Sequence, residues 1–180
     1  LQNLHALNLN FLRNRLNRTF YEFIKNDKEI KMDMFRTLVV DDEVDFLETI
    51  VNRLKKRKLD AIGVTSGEEA LALLKEQIFD VIILDIKMPG GMDGIEALRE
   101  IKRIQPLVEV ILLTGHASVE TSIEGMKLGA FDYCLKPIKF EDLLQKMGAA
   151  VGKKSTHDKK IRDAKIQELI RYPSKVFDQD

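Results

Sequence analysis

Five polar residues stand at the downstream ends of short strand-like runs. Asp41 and Asp42 follow Thr37–Val40, Asp85 follows Val81–Leu84, Thr114 follows Val110–Leu113, and Lys136 follows Phe131–Leu135. Brought together, these types suit phosphoryl transfer. A carboxylate can act as the nucleophile that forms an acyl phosphate. Clustered carboxylates repel one another, and a hard cation such as Mg²⁺, held by oxygens, relieves the repulsion. The same cation neutralises charge on the transferring group. A lysine adds a fixed positive charge, and a hydroxyl can donate to a phosphoryl oxygen.

Whether they meet depends on the elements that carry them. From Arg36 onward, apolar runs alternate with amphipathic stretches. Leu47, Ile50, Val51 and Leu54 recur at helical spacing, and the basic run Lys55–Lys58 suits a helix C-terminus. A weaker strand, Ala61–Thr65, leads to Ser66-Gly67-Glu68-Glu69, a capping-box pattern. That opens a helix with Leu71, Leu74 and Ile78 on one face. After Asp85, Met88-Pro89-Gly90-Gly91 reads as a loop, and Asp93 with Glu96 repeats the cap spacing before a helix over Ile95–Ile104. Ser118 is placed to cap a helix bearing Val119, Ile123 and Met126. Phe140, Leu143, Leu144, Met147 and Val151 mark a last helix. Five strands and five helices in alternation, with fully apolar central strands, predict an α/β fold. The expected architecture is a doubly wound, flavodoxin-like parallel sheet of order 2-1-3-4-5 with helices on both faces. Ligands in such sheets bind beyond the carboxyl ends of the strands, where the five residues lie.

Composition narrows the class. The chain has 180 residues, 44% of them apolar and 32% charged, values normal for a protein with a packed core. No apolar stretch approaches the ~18 residues of a membrane span, and no signal peptide is evident. The single cysteine, Cys134, rules out an internal disulfide and fits a reducing cytoplasm. Residues 34–150 carry 15 Lys/Arg against 20 Asp/Glu, which argues against nucleic acid as the main partner. A dinucleotide fingerprint after the first strand is missing.

The motifs Val39-Val40-Asp41-Asp42-Glu43, Ile83-Leu84-Asp85-Ile86-Lys87-Met88-Pro89-Gly90, Leu113-Thr114-Gly115-His116 and Asp132-Tyr133-Cys134-Leu135-Lys136-Pro137 closely resemble those of the response-regulator receiver family of two-component signalling. They occur in family order and at family spacing. The resemblance implies that Asp85 is the phosphoacceptor and that the cofactor is Mg²⁺ or Mn²⁺. Asp42 would bind the metal directly and Asp41 through water. Asp85 and the backbone carbonyl of Lys87 would complete the protein's share of the shell. Thr114 and Lys136 would contact phosphoryl oxygens, and Lys136-Pro137 would be a cis bond. Tyr133 matches the aromatic switch position, whose inward turn would remodel the face made by the fourth helix, fifth strand and fifth helix. The chain departs from many relatives in having Gly90-Gly91 where one glycine is usual, which lengthens the loop beside Asp85.

Plainer roles stand beside these. Asp41, Asp42 and Asp93 could cap helices, and Asp93 is read so. Tyr133 could be core packing, Cys134 a small buried hydrophobe, and His116 a loop residue lining the site.

The resemblance implies a stand-alone, cytoplasmic receiver, residues 34–151, which catalyses only its own phosphorylation and dephosphorylation. The donor would be a sensor histidine kinase or a histidine phosphotransfer protein. The output would pass to an unknown protein, with no direct nucleic acid or membrane partner; a phosphorylation-dependent homodimer is a further option. The rivals are a non-phosphorylated adaptor on the same fold and an aspartyl-phosphate phosphatase. The latter wants an acid two residues after the nucleophile, where Lys87 stands. Residues 1–33 hold six Asn and are expected to be a leader or non-native segment ahead of a start at Met32 or Met34; a short helix over Phe11–Ile24 is the alternative. Residues 152–180 are expected to form a basic helical extension over Lys153–Arg171, capped by Ser155 or Thr156 and stopped by Pro173.

Overall fold

The computed structural model describes residues 35–115 and 119–171. The expectations for residues 1–33, Met34, His116, Ser118 and Pro173 fall outside them.

Strands β1 (Arg36–Val40), β2 (Asp60–Val64), β3 (Val81–Asp85), β4 (Glu109–Thr114) and β5 (Asp132–Leu135) form one parallel sheet of order β2-β1-β3-β4-β5. Helices α1 (Val44–Lys56), α2 (Gly67–Glu76), α3 (Gly94–Ile104), α4 (Val119–Lys127) and α5 (Phe140–Arg171) connect and follow them. The doubly wound fold expected from the alternation is present.

Successive strand side chains point to opposite faces, so the unbroken apolar runs Leu38–Val40, Val81–Leu84 and Val110–Leu113 of β1, β3 and β4 require both faces to be covered. Val39, Ile83, Ile111, Leu113 and Cys134 join α1 and α5 residues such as Leu47, Leu54, Leu143 and Met147 in one cluster. Leu38, Val40, Ile82, Leu84 and Leu112 join Ala70, Leu74, Leu98 and Ile101 of α2 and α3 in the other. Burying each large aliphatic contributes about 1.5–3 kcal/mol.

Local signals start the helices. Ser66 Oγ accepts the Glu69 N–H (3.2 Å), but Glu69 turns its carboxylate to the Thr65 N–H (3.0 Å) instead of closing the box on Ser66. Asp93 and Glu96 form the full reciprocal box that opens α3. At the far end, the Gln105 side chain accepts the Phe79 N–H (3.1 Å) and donates to the carbonyls of Leu74 (2.9 Å) and Gln77 (2.6 Å). It thereby serves backbone groups left open where α2 stops. Because α2 ends at Glu76, Ile78 lies beyond the helix and is 73% exposed, against its expected place on the buried face. Ile123 and Met126 of α4 are also about half exposed rather than buried.

The expected break near residue 152 does not occur. Helix α5 is continuous from Phe140 to Arg171. Thr156 does not cap a new helix; its hydroxyl donates back to the Gly152 carbonyl (2.9 Å) within α5. Lys153 pairs with the buried Glu109 (3.0 Å), and the buried Lys154 ammonium donates to the Phe79 carbonyl (2.8 Å) and to Asp80 (2.7 Å). These bonds hold α5 against the amino ends of β3 and β4, and the helix runs on past them. Among the described residues no helix is long and apolar enough to cross a membrane.

Candidate functional site

Register gathers the strand ends. Val40 pairs with Leu84, so Asp41 continues β1 beside Asp85. Thr114 pairs with Leu135, and the Thr114 carbonyl accepts the Lys136 N–H (2.8 Å), so Lys136 leaves β5 next to the end of β4. All five residues therefore reach one rim of the sheet.

There, Asp41, Asp42 and Asp85 each offer a carboxylate oxygen within 4.8 Å of the others. Asp41 and Asp85 are buried, while Asp42 is partly exposed. The Lys136 ammonium lies 2.7 Å from Asp41 Oδ2 and 3.9 Å from Asp85 Oδ2. It also donates to Glu43 Oε1 (2.9 Å) and sits 4.3 Å from the centre of the Phe46 ring. Thr114 is fully buried at the end of β4. Lys87 follows Asp85 by two residues with its side chain exposed, and the Lys136-Pro137 bond is cis. Tyr133 is partly buried against the α2–α3 cluster, and its hydroxyl is buried with no hydrogen-bond partner among the described residues.

The electrostatics follow from burial beside like charge. Burial pushes the Asp85 carboxyl up to about 6; Lys136 opposes the shift, while Asp41 and Asp42 add to it. Burial likewise raises Asp41 against the pull of its Lys136 hydrogen bond. For Lys136, burial works against the ammonium, but its bonds to Asp41 and Glu43 outweigh that and raise it. One lysine thus answers several carboxylates, which leaves the rim short of positive charge. Asp85 Oδ1 is buried with no hydrogen-bond partner among the described residues, a costly state for a carboxylate oxygen. Three carboxylates in reach of one point, all oxygen donors, fit a hard divalent cation.

Two contributors escaped the sequence reading. Glu43 stands in the first motif but shows its part only once Lys136 folds onto it from 93 positions away. Phe46 reads as one more apolar residue of α1, with nothing to mark the ammonium above its ring.

The response regulator receiver domain family matches residues 37–148. The transcriptional regulatory protein ZraR of Escherichia coli (strain K12) is 38% identical over 111 residues, which are 62% of this chain and 25% of that protein. A putative response regulator, NtrX-like, of Rickettsia bellii is 36% identical over 114 residues, 63% of this chain and 24% of that one. The chain thus spans about a quarter of the length of these relatives. Among solved structures, a receiver domain protein (CheY-like) from Methanospirillum hungatei JF-1 superposes with a TM-score of 0.67 at 29% identity, covering 69% of this chain and 98% of that one. One from Clostridium thermocellum gives 0.65 at 37% identity, covering 68% and 98%. With fold, strand-end cluster and these likenesses in agreement, the chain belongs to the response regulator receiver family.

Proposed function

We propose that Asp85 accepts a phosphoryl group from a phosphohistidine on a sensor kinase or phosphotransfer protein, and that the phosphorylated domain signals by protein contact. The observation that carries this is the buried Asp85 carboxylate. One of its oxygens has no partner among the described residues, two more carboxylates lie within 4.8 Å, and a lysine lies 3.9 Å away. With its carboxyl near 6, Asp85 is mostly ionised at neutral pH and so a competent nucleophile. Its oxygen attacks phosphorus while the phosphorus–nitrogen bond to the histidine breaks, and the imidazole leaves with the electron pair and takes up a proton. Later attack of water on phosphorus returns Asp85 and releases phosphate, so the only reactions catalysed are the domain's own phosphorylation and dephosphorylation.

Asp41, Asp42, Asp85 and the Lys87 carbonyl would hold Mg²⁺ (or Mn²⁺). The cation supplies charge neutralisation for the incoming phosphoryl oxygens. Lys136 would move from Glu43 and Asp41 toward a phosphoryl oxygen, and the Thr114 hydroxyl would donate to another. Tyr133 is the switch residue in this reading. The new dianion biases which arrangement of Thr114 and Tyr133 is populated, and the α4–β5–α5 face reports it to the partner. The net acidity of residues 34–150 favours a protein over nucleic acid at this face. The lone free cysteine suits the cytoplasm, where such kinases present their phosphohistidine.

The test is incubation with Mg²⁺ and a small acyl phosphate. The expected result is a labile gain of one phosphoryl mass that Asp85→Asn abolishes. No gain with wild type favours the adaptor reading, and turnover of unrelated phosphate esters favours the hydrolase; either result refutes the proposal.

A further inference from the structure

The loop between β3 and α3 carries an extra glycine and is tied to a neighbouring helix by a residue that none of the strand-end motifs contains. Glu68, in the first turn of α2, accepts the Met92 N–H on Oε1 at 2.9 Å. Residue 91 is shaped around that carboxylate. A Cβ on Gly91 would stand 2.8 Å from Glu68 Oε1 and 3.3 Å from Oε2, whereas a Cβ on Gly90 would meet nothing. Gly67 lets the same helix turn approach the Met92 side chain; a Cβ there would be 3.3 Å from its sulfur. The bond is not needed to start α2. Ser66 caps that helix, and Glu69 serves Thr65, so the Glu68 carboxylate is left to face the loop. The Met92 N–H and its own backbone N–H hold the Glu68 carboxyl below the usual range, as a retained bond requires.

We propose that Glu68 is a positioning residue for the Asp85 site, clamping the lengthened β3–α3 loop so that the main chain at Lys87 stays in place for the cation. The inference rests on the functional reading above. Met88 anchors one end of the loop in the core, and Asp93 fixes the other through its capping box. Between them, Pro89, Gly90 and Gly91 are exposed, and Gly90 has a φ of +90°. Two successive glycines give the segment more backbone freedom than any other pair of residues. Without a restraint, that freedom works against the seat of Met88 in the core and so reaches the main chain of Lys87, its direct neighbour. Glu68 supplies the restraint from a rigid helix turn. Groups that orient metal ligands from outside the coordination shell affect affinity in this way.

The test uses the whole chain with Glu68→Ala, Glu68→Gln and Gly91→Ala. Mg²⁺ affinity is read by calorimetric titration, and exchange of the Met92 amide by NMR. Glu68→Ala should weaken Mg²⁺ binding roughly fivefold or more and speed Met92 exchange about tenfold. Gly91→Ala should do the same, because its methyl displaces the carboxylate. Glu68→Gln keeps an acceptor oxygen and should restore both readouts to within about twofold of wild type. Unchanged Mg²⁺ affinity in Glu68→Ala, beside normal binding and phosphorylation of wild type, overturns the clamp alone. So does a loss that Glu68→Gln fails to recover, since the effect would then lie in charge rather than in the bond. Wild type that takes up no Mg²⁺ overturns the functional reading and this inference together.

Discussion

Adding one methyl group at Gly94 should disable the site without touching any of its side chains. A Cβ there would lie 2.1 Å from the Asp85 carbonyl oxygen, 2.6 Å from Ile86 Cα and 2.9 Å from the Asp85 carbonyl carbon. Ordinary contact begins at 3.4 Å, so the shortfall against the carbonyl oxygen is about 1.3 Å. The obstruction is all main chain, of Asp85 and Ile86, and no flexible side chain can yield. Helix α3 must retreat from the end of β3, stretching the Gly94 N–H bond to the Ile86 carbonyl, now 2.9 Å. Overpacking of this kind costs about 1–3 kcal/mol, and the bond contributes about 1 kcal/mol. Helix propensity favours alanine over glycine by at most about 1 kcal/mol. Gly94→Ala should therefore destabilise the fold by about 1–3 kcal/mol, a fall of roughly 4–12 °C in Tm. A shift near 1 Å at a reacting group costs about 100-fold in rate. Phosphorylation of Asp85 by a small acyl phosphate should slow by about that factor. Gly148→Ala is the control, because a Cβ at that position in α5 meets nothing. It should stabilise by about 0.5–1 kcal/mol. Urea denaturation and the acyl-phosphate time course read both. If the two variants move stability in the same direction, or Gly94→Ala is phosphorylated at the wild-type rate, the packing argument fails.

Without divalent metal, burial holds the Asp85 carboxyl at about 6 against an ordinary 3.8, so the fold binds that proton more tightly than the unfolded chain does. Its contribution to stability is fully present below about pH 4 and is lost as pH rises through 6. Asp85→Asn should be near neutral at pH 4 and stabilising by up to about 3 kcal/mol at pH 7, with Mg²⁺ reducing the gap; a difference that stays constant across this range would refute the electrostatic account. Gln105→Ala breaks three bonds at the other end of the sheet and should cost about 2–4 kcal/mol while leaving the rate of Asp85 phosphorylation, corrected for folded fraction, unchanged. A denaturation midpoint equal to wild type would show that Gln105 is not what closes the end of α2.

The strands were readable because β1, β3 and β4 are apolar on both faces, a pattern few other settings tolerate. Asp41, Asp85 and Thr114 were readable for the same reason, each being the first polar residue after such a run; Lys136 follows the mixed strand Asp132–Leu135 and was readable only through its motif with Pro137. Helix ends were less so. Leu71, Leu74 and Ile78 keep a helical period, yet Gln105 draws the Gln77 carbonyl away and Ile78 falls outside. Ser155 and Thr156 look like a new start, but Lys153 and Lys154 hold the chain in register across that point through Glu109, Phe79 and Asp80. Glu43 over Lys136 and Glu68 under Met92 depend on meetings between distant segments that no local spacing announces.

The unbroken last helix turns a small rotation into a large displacement. Lys154 pins it at the base of the sheet, and residues 155–171 carry on for about 25 Å at 1.5 Å per residue. A tilt of roughly 10° about that pivot would sweep the far end through about 4 Å, nearly one helical pitch. Any tilt of α5 about Lys154 would thus arrive at Arg171 multiplied by the length of the arm.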